Sequence, residues 1–152
     1  MYIMDKEDIT DIETINDMVN DGYISHSIIN TDFEKIKKIK NNVLKNMLYI
    51  EDNDYIEYLE EKLDRYRFID GMDELTYGSY IRWINFDDPY HKLKIGGFIC
   101  DISITYKGVI IKCRNRTRNM FQINLSKCVI FQMISEQEHI VLSTLQHIIN
   151  KR

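Results

Sequence analysis

Alanine is absent from this chain of 152 residues, and proline and tryptophan occur once each. Alanine is the best helix former, so its absence marks coding bias and not a requirement of folding. No apolar run approaches the roughly 18 residues that a membrane-spanning helix needs. The opening stretch, MYIMDKEDITDIE, is acidic and has no apolar core of the signal-peptide kind, so secretion is not expected. Cysteine is scarce and odd in number: Cys100, Cys113 and Cys128 are widely spaced, with no C-x-x-C pair. That argues against a disulfide framework and for reduced thiols, used as small core side chains in a reducing, intracellular compartment. The six glycines are scattered at turns, so no glycine loop is built to cradle a phosphate. His139 and His147 are eight positions apart, which is not a zinc spacing. Asp87-Asp88 read as turn formers and not as an acid–base pair. An enzyme is therefore not expected, nor any cofactor or metal.

Charge is abundant but unevenly placed. Residues 1–76 hold 19 Asp/Glu and 9 Lys/Arg, net −10, whereas residues 77–152 hold 5 and 11, net +6. Such a split suits a partner-binding half and a half that solubilises or masks it. Isoleucine, asparagine, lysine, aspartate and tyrosine are abundant, and amino acids with AT-rich codons are favoured overall. In this the composition resembles proteins of AT-rich giant DNA viruses of the mimivirus kind, which implies a viral protein in host cytoplasm, nucleus or virion.

Periodicity divides the chain into an acidic arm (1–30), an αα-hairpin (31–70), a β region (77–134) and a C-terminal helix (135–152) packed on it. Ile9, Ile12, Ile15 and Met18 share one face of a helix over residues 8–21. Thr10 and Glu13 are spaced as its capping box, with Asp21-Gly22 as its stop. This apolar stripe on an acidic helix needs a partner, either this chain or another protein. A short extended piece is expected over 23–29. Thr31-Asp32 caps a helix reaching Ile50, with a stripe of Phe33, Ile36, Val43, Met47 and Ile50 and a solvated face of Lys35, Lys37, Lys38 and Lys40. A second helix follows, with Ile56, Leu59, Leu63 and Tyr66 as its stripe, and the short connection makes the pair antiparallel.

From Tyr77 the period becomes two. Ser79–Asn85 and Gly96–Thr105 are the first two strands, the second with Phe98, Cys100, Ile102 and Ile104 on one face. Val109, Ile111 and Cys113 point inward from the third strand, and Phe121, Ile123 and Leu125 from the fourth. Ser126-Lys127 breaks the run before the fifth, Val129–Met133, and Ser135 with Glu138 spells a capping box for the last helix. Gly96-Gly97 suits a bulge or a sharp corner. Five short strands, a long first loop, a glycine corner and a break before the fifth strand resemble the small-barrel group of Tudor, Sm-like and Src-homology-type domains. The fold expected is α+β: N-terminal helices, a five-stranded antiparallel small β-barrel and a closing helix. The resemblance implies binding of peptides or nucleic acids rather than catalysis.

Two surfaces in the β region are candidates for contact. Lys112, Arg114, Arg116 and Arg118 fall at every second position, with Lys107 before them. In an extended hairpin they form a comb of positive charge, complementary to a phosphate backbone or an acidic peptide. The competing readings are a solubilising tip paired with the chain's own acidic half, and charges that guard a sheet edge. Tyr80, Trp83, Phe86 and Tyr90 could form an aromatic pocket for a cation, unless Trp83 is core. The sequence thus supports two functions. One is a non-enzymatic binding or structural module that joins a protein assembly, or self-associates, through its barrel and acidic helix. The other is a nucleic-acid-binding accessory protein that uses the basic hairpin Lys107–Arg118.

Overall fold

A computed structural model describes residues 6–20 and 26–150. The fold is α+β, and the chain falls into two units, Met1–Lys35 with Ile134–Arg152, and Ile36–Met133. No helix among the described residues is long and apolar enough to cross a membrane.

In the first unit, helix α1 (Lys6–Asn20) packs on the C-terminal helix, here α4 (Glu136–Asn150). Helix α1 begins earlier than Thr10, so no capping box forms there. Thr10 is a helix-interior residue whose hydroxyl donates to the Lys6 carbonyl at 2.9 Å. The expected stop at Asp21-Gly22 lies outside the described residues. His26–Asn30 is a 3₁₀ turn and not an extended piece. The capping box of α4 forms as spelled: the Glu138 amide donates to Ser135 Oγ and the Ser135 amide to Glu138 Oε1.

In the second unit, α2 (Phe33–Asn42, shared with the first unit) runs into a π turn, Val43–Met47, and α3 (Asn53–Lys62) returns antiparallel. Asp32 caps α2 through the Lys35 amide, and Asp52 caps α3 through Asp54 and Tyr55. The π turn rotates the stripe, which leaves Ile39 and Met47 exposed and buries Val43, Leu44 and Leu48.

Lys40 leaves the solvated face assigned to it. It is buried, and its ammonium donates to the carbonyls of Leu63 and Asp64 at 2.7 and 3.4 Å, at the C-terminal end of α3. Burial pushes its pKa below the ordinary lysine value, against the pull of Asp64 and Glu60. Lys40→Met keeps the length of the side chain but orphans those carbonyls. It should cost about 1–3 kcal/mol in chemical denaturation, and a loss comparable to an exposed lysine substitution would remove this role.

Six antiparallel strands follow: β1 (Tyr66–Ile69), β2 (Tyr80–Asn85), β3 (Gly97–Thr105), β4 (Gly108–Arg114), β5 (Met120–Asn124) and β6 (Cys128–Met133). Their order is β1-β6-β2-β3-β4-β5, and no pairing joins β5 to β1, so the sheet is open. Strand β1 replaces the end of the expected second helix. Its residues, YRFI, are β-type and pair with β6 from Tyr66↔Met133 to Ile69↔Ile130.

The sheet curls strongly. Strands β2 and β5 have two strands between them, about 14 Å in a flat sheet. Yet the rings of Trp83 on β2 and Phe121 on β5 have centroids 5.1 Å apart. The concave side gathers Ile81, Trp83, Ile99, Ile111, Cys113 and Ile130. On the convex side, the helical hairpin covers β1, β6 and β2 with Leu44, Leu48, Leu59 and Leu63 against Tyr66, Ile84, Val129 and Phe131. Strand β6, packed on both sides, is buried along nearly its whole length.

Candidate nucleic-acid interface

Strand β3 departs from simple alternation, and this decides which side chains face outward. Its pairing with β4 shifts register between Ile99 and Asp101, so Cys100 is the extra residue of a β-bulge. Ile99 and Ile102 therefore point into the concave core, while Phe98, Cys100 and Asp101 are exposed. The expected single face of Phe98, Cys100, Ile102 and Ile104 is therefore broken at the bulge, and Ile104 lies exposed near the hairpin turn. Cys113 and Cys128 are buried, and burial pushes both thiols up to about 12.

The register then lines up Tyr80, Phe98, Arg114 and Met120 across β2, β3, β4 and β5, and Asp101, Lys112 and Gln122 in the next row. Apart from Tyr80, no residue of these rows belongs to the cluster covered by the helical hairpin. Period two carries Lys112 and Arg114 outward, but β4 ends at Arg114. Arg116 and Arg118 are presented by a tight turn. Asn115 Oδ1 accepts from the Thr117 amide, the Thr117 hydroxyl and the Asn119 amide, and Arg118 adopts a positive φ of 66°. Arg116 folds back over the Tyr80 ring, 5.5 Å from its centroid. Burial raises the Tyr66 pKa, against the smaller pull of Arg82 and Arg116.

Lys107 does not join this group. It lies in the β3–β4 turn over the Tyr106 ring, about 23 Å from Arg114 at the usual rise of roughly 3.3 Å per residue. Among the described residues, none of Lys107, Lys112, Arg114, Arg116 or Arg118 forms an ion pair. The self-paired reading of the comb thus finds no carboxylate partner among them. Residues 102–135 contain no Asp or Glu at all. That gap covers β4 and β5 entirely, while Asp101 on β3 stands opposite Lys112.

The four aromatics of the expected pocket do not meet. Tyr80 and Trp83 are buried in the two opposite clusters, Tyr80 under the helical hairpin and Trp83 in the concave core. Phe86 and Tyr90 are exposed in the loop after β2. That loop is held by the Asp88 carboxylate, which accepts from the Tyr90 and Lys92 amides. These hydrogen bonds hold the Asp88 pKa below the usual carboxylate value. Tyr80 is pinned by donating to the Ile95 carbonyl at 2.7 Å. The exposed ring in the row of Arg114 is Phe98, whose outward position follows from the bulge.

The stripe of α1 is only partly open. Ile15 is buried, Ile12 and Met18 are half-buried, and Ile9 is 45% exposed. The buried face runs through Asp8, Ile15 and Val19, turned slightly from the expected line. Among the described residues, no group of three or more His, Cys, Asp or Glu is placed to hold a metal ion.

No family model matches the chain, and neither a curated protein nor a solved structure is found to be similar to it.

Proposed function

We propose that this protein is a non-enzymatic nucleic-acid-binding module that lays a phosphate backbone on the convex face of β3, β4 and β5. The observation that carries this is the set of cations Lys112, Arg114 and Arg116 on that face, with Arg118 in the adjoining turn, none of them paired to a carboxylate among the described residues. Counterion release gives a polyanion a large gain at such a surface. The net charge agrees in sign: Ile36–Met133 holds 16 Lys/Arg against 13 Asp/Glu, net +3, while the other unit holds 4 against 11, net −7. The small-barrel reading belongs here too. The run β6-β2-β3-β4-β5, with a 3₁₀ turn at Leu125–Lys127 before β6, supports a barrel-like module extended by β1. Assembly through α1 has less support, because Ile15 and Val19 of its stripe are buried.

Fluorescence anisotropy of labelled DNA and RNA against the full chain tests the reading. Affinity should fall steeply with salt. Combining Arg114→Ser, Arg116→Ser and Arg118→Ser should flatten the log–log salt slope by about 2, at roughly 0.7 per lost single-strand phosphate contact. Binding that is absent, or indifferent to salt and to these arginines, would sink it.

A further inference from the structure

A large aromatic ring stands in the middle of the cationic face with no apolar cover. Phe98 is 41% exposed, and its register neighbours are Tyr80 on one side and Arg114 on the other. Tyr80 props the ring edge-on, with centroids 4.9 Å apart and planes at 75°. Tyr80 is in turn fixed by its bond to Ile95 and capped by Arg116. Met120, 54% exposed, continues the row beyond Arg114. The ring is therefore both rigidly supported and open.

The chemistry of the face separates two kinds of polynucleotide. A duplex offers phosphates but keeps its base faces stacked inside, so it engages the cations and leaves Phe98 bare. A single strand offers phosphates and free base faces together, and aromatic stacking is tolerant of base identity. A guanidinium lying on a ring by its plane keeps its N–H donors at the rim, where a phosphate can take them. Arg116 lies over the Tyr80 ring, with its guanidinium carbon 5.5 Å from the centroid.

Resting on the reading of this face as a nucleic-acid interface, we infer that its ligand is single-stranded DNA or RNA. One unpaired base stacks on Phe98, and the flanking phosphates lie on Lys112, Arg114 and Arg116. Glycine at position 97 serves the same face from behind. A Cβ there would stand 2.8 Å from the Phe121 ring and 2.9 Å from the Arg114 carbonyl, so only glycine lets β3 carry Phe98 this close to β4.

The test uses the full chain with labelled oligo(dT) and oligo(U) of about 12 nucleotides and a duplex of the same length. Phe98→Leu should weaken single-strand binding about tenfold and change duplex binding by less than about twofold, whereas Phe98→Trp should retain or tighten single-strand binding. Circular dichroism checks that both variants keep the fold, and the tighter of the two single-stranded probes names the polymer. Single-strand binding that is unchanged by Phe98→Leu, or lost equally with duplex binding, overturns the stacking and leaves the arginine-dependent reading standing. Failure of the wild-type chain to bind any probe ends both.

Discussion

Replacing Gly96 by alanine should destabilise the protein far more than the same replacement at Gly78, although both glycines have positive φ. Gly78 has φ +82° and nothing within 4 Å of a built Cβ, so alanine meets only backbone strain. That strain is about 1–2 kcal/mol for a residue held in the left-handed region. Gly96 has φ +100°, and its Cβ would stand 2.2 Å from the Ile81 carbonyl oxygen and 3.0 Å from Arg82 and Tyr80 side-chain atoms. The carbonyl cannot step aside, because Ile81 is paired on both flanks, with Gln132 of β6 and Gly97 of β3. Overpacking of this kind adds roughly 1–3 kcal/mol to the strain, so Gly96→Ala should lose about 2–5 kcal/mol in all. Urea denaturation of both variants, followed by the fluorescence of the single tryptophan, Trp83, measures the difference. Equal losses at the two positions would show that the corner yields, and the close approach of β2 to the loop would then be no constraint.

This corner also shows what could be read from the chain alone. The Gly96-Gly97 pair announced a sharp feature, and one is there, but the bulge sits three residues further on at Cys100. A bulge is set by how β3 meets β4, a pairing between distant positions, and has no local spelling in FICDIS. Missing it placed Phe98 on one face with Ile102, and so removed from view the ring that completes the cationic face. Strand β1 escaped for a related reason. Tyr66 continues the three-and-four spacing of Ile56, Leu59 and Leu63, and only pairing with β6 turns it into a strand. What the chain spells locally came through better: the Asp32 cap, the Ser135–Glu138 box, and the inward faces of β4 and β5. Lys40 is the reverse case, a charge that helical spacing assigns to solvent and that tertiary contact with Leu63 takes inside. The arginines were legible as residues but not as a surface, since their alternation ends at Arg114 and the Asn115 turn does the rest.

Phe131→Ala should produce the largest loss of stability of any single core truncation in β6. Phe131 is fully buried in the strand that is covered on both sides, and its cross-strand neighbours are Phe68 on β1 and Arg82 on β2. Its ring meets Phe68 edge-on, with centroids 6.3 Å apart, and belongs to the cluster by which the helical hairpin is fastened to the sheet. Truncation removes the ring from both, and the rigid strand between two layers has little room to collapse into the void. A buried Phe→Ala change costs about 3–5 kcal/mol. For a chain of 152 residues each kcal/mol shifts Tm by roughly 2–4 °C, so the melting temperature should drop by about 6–20 °C. The control is Ile104→Ala, which removes nearly as much apolar volume from a side chain that is 74% exposed and should stay within about 0.5 kcal/mol. The consequence for binding follows from the geometry of the sheet. Phe131 faces the hairpin-covered part of the convex side, and Phe98, Lys112 and Arg114 belong to the bare part. Below its own melting transition, Phe131→Ala should therefore bind single-stranded probes as the wild-type chain does, and lose binding only as it unfolds. A Tm drop of less than about 5 °C would mean that the hairpin is held to the sheet by something other than this cluster. Weakened binding by the still-folded variant would mean that the covered and bare halves of the convex face are mechanically one.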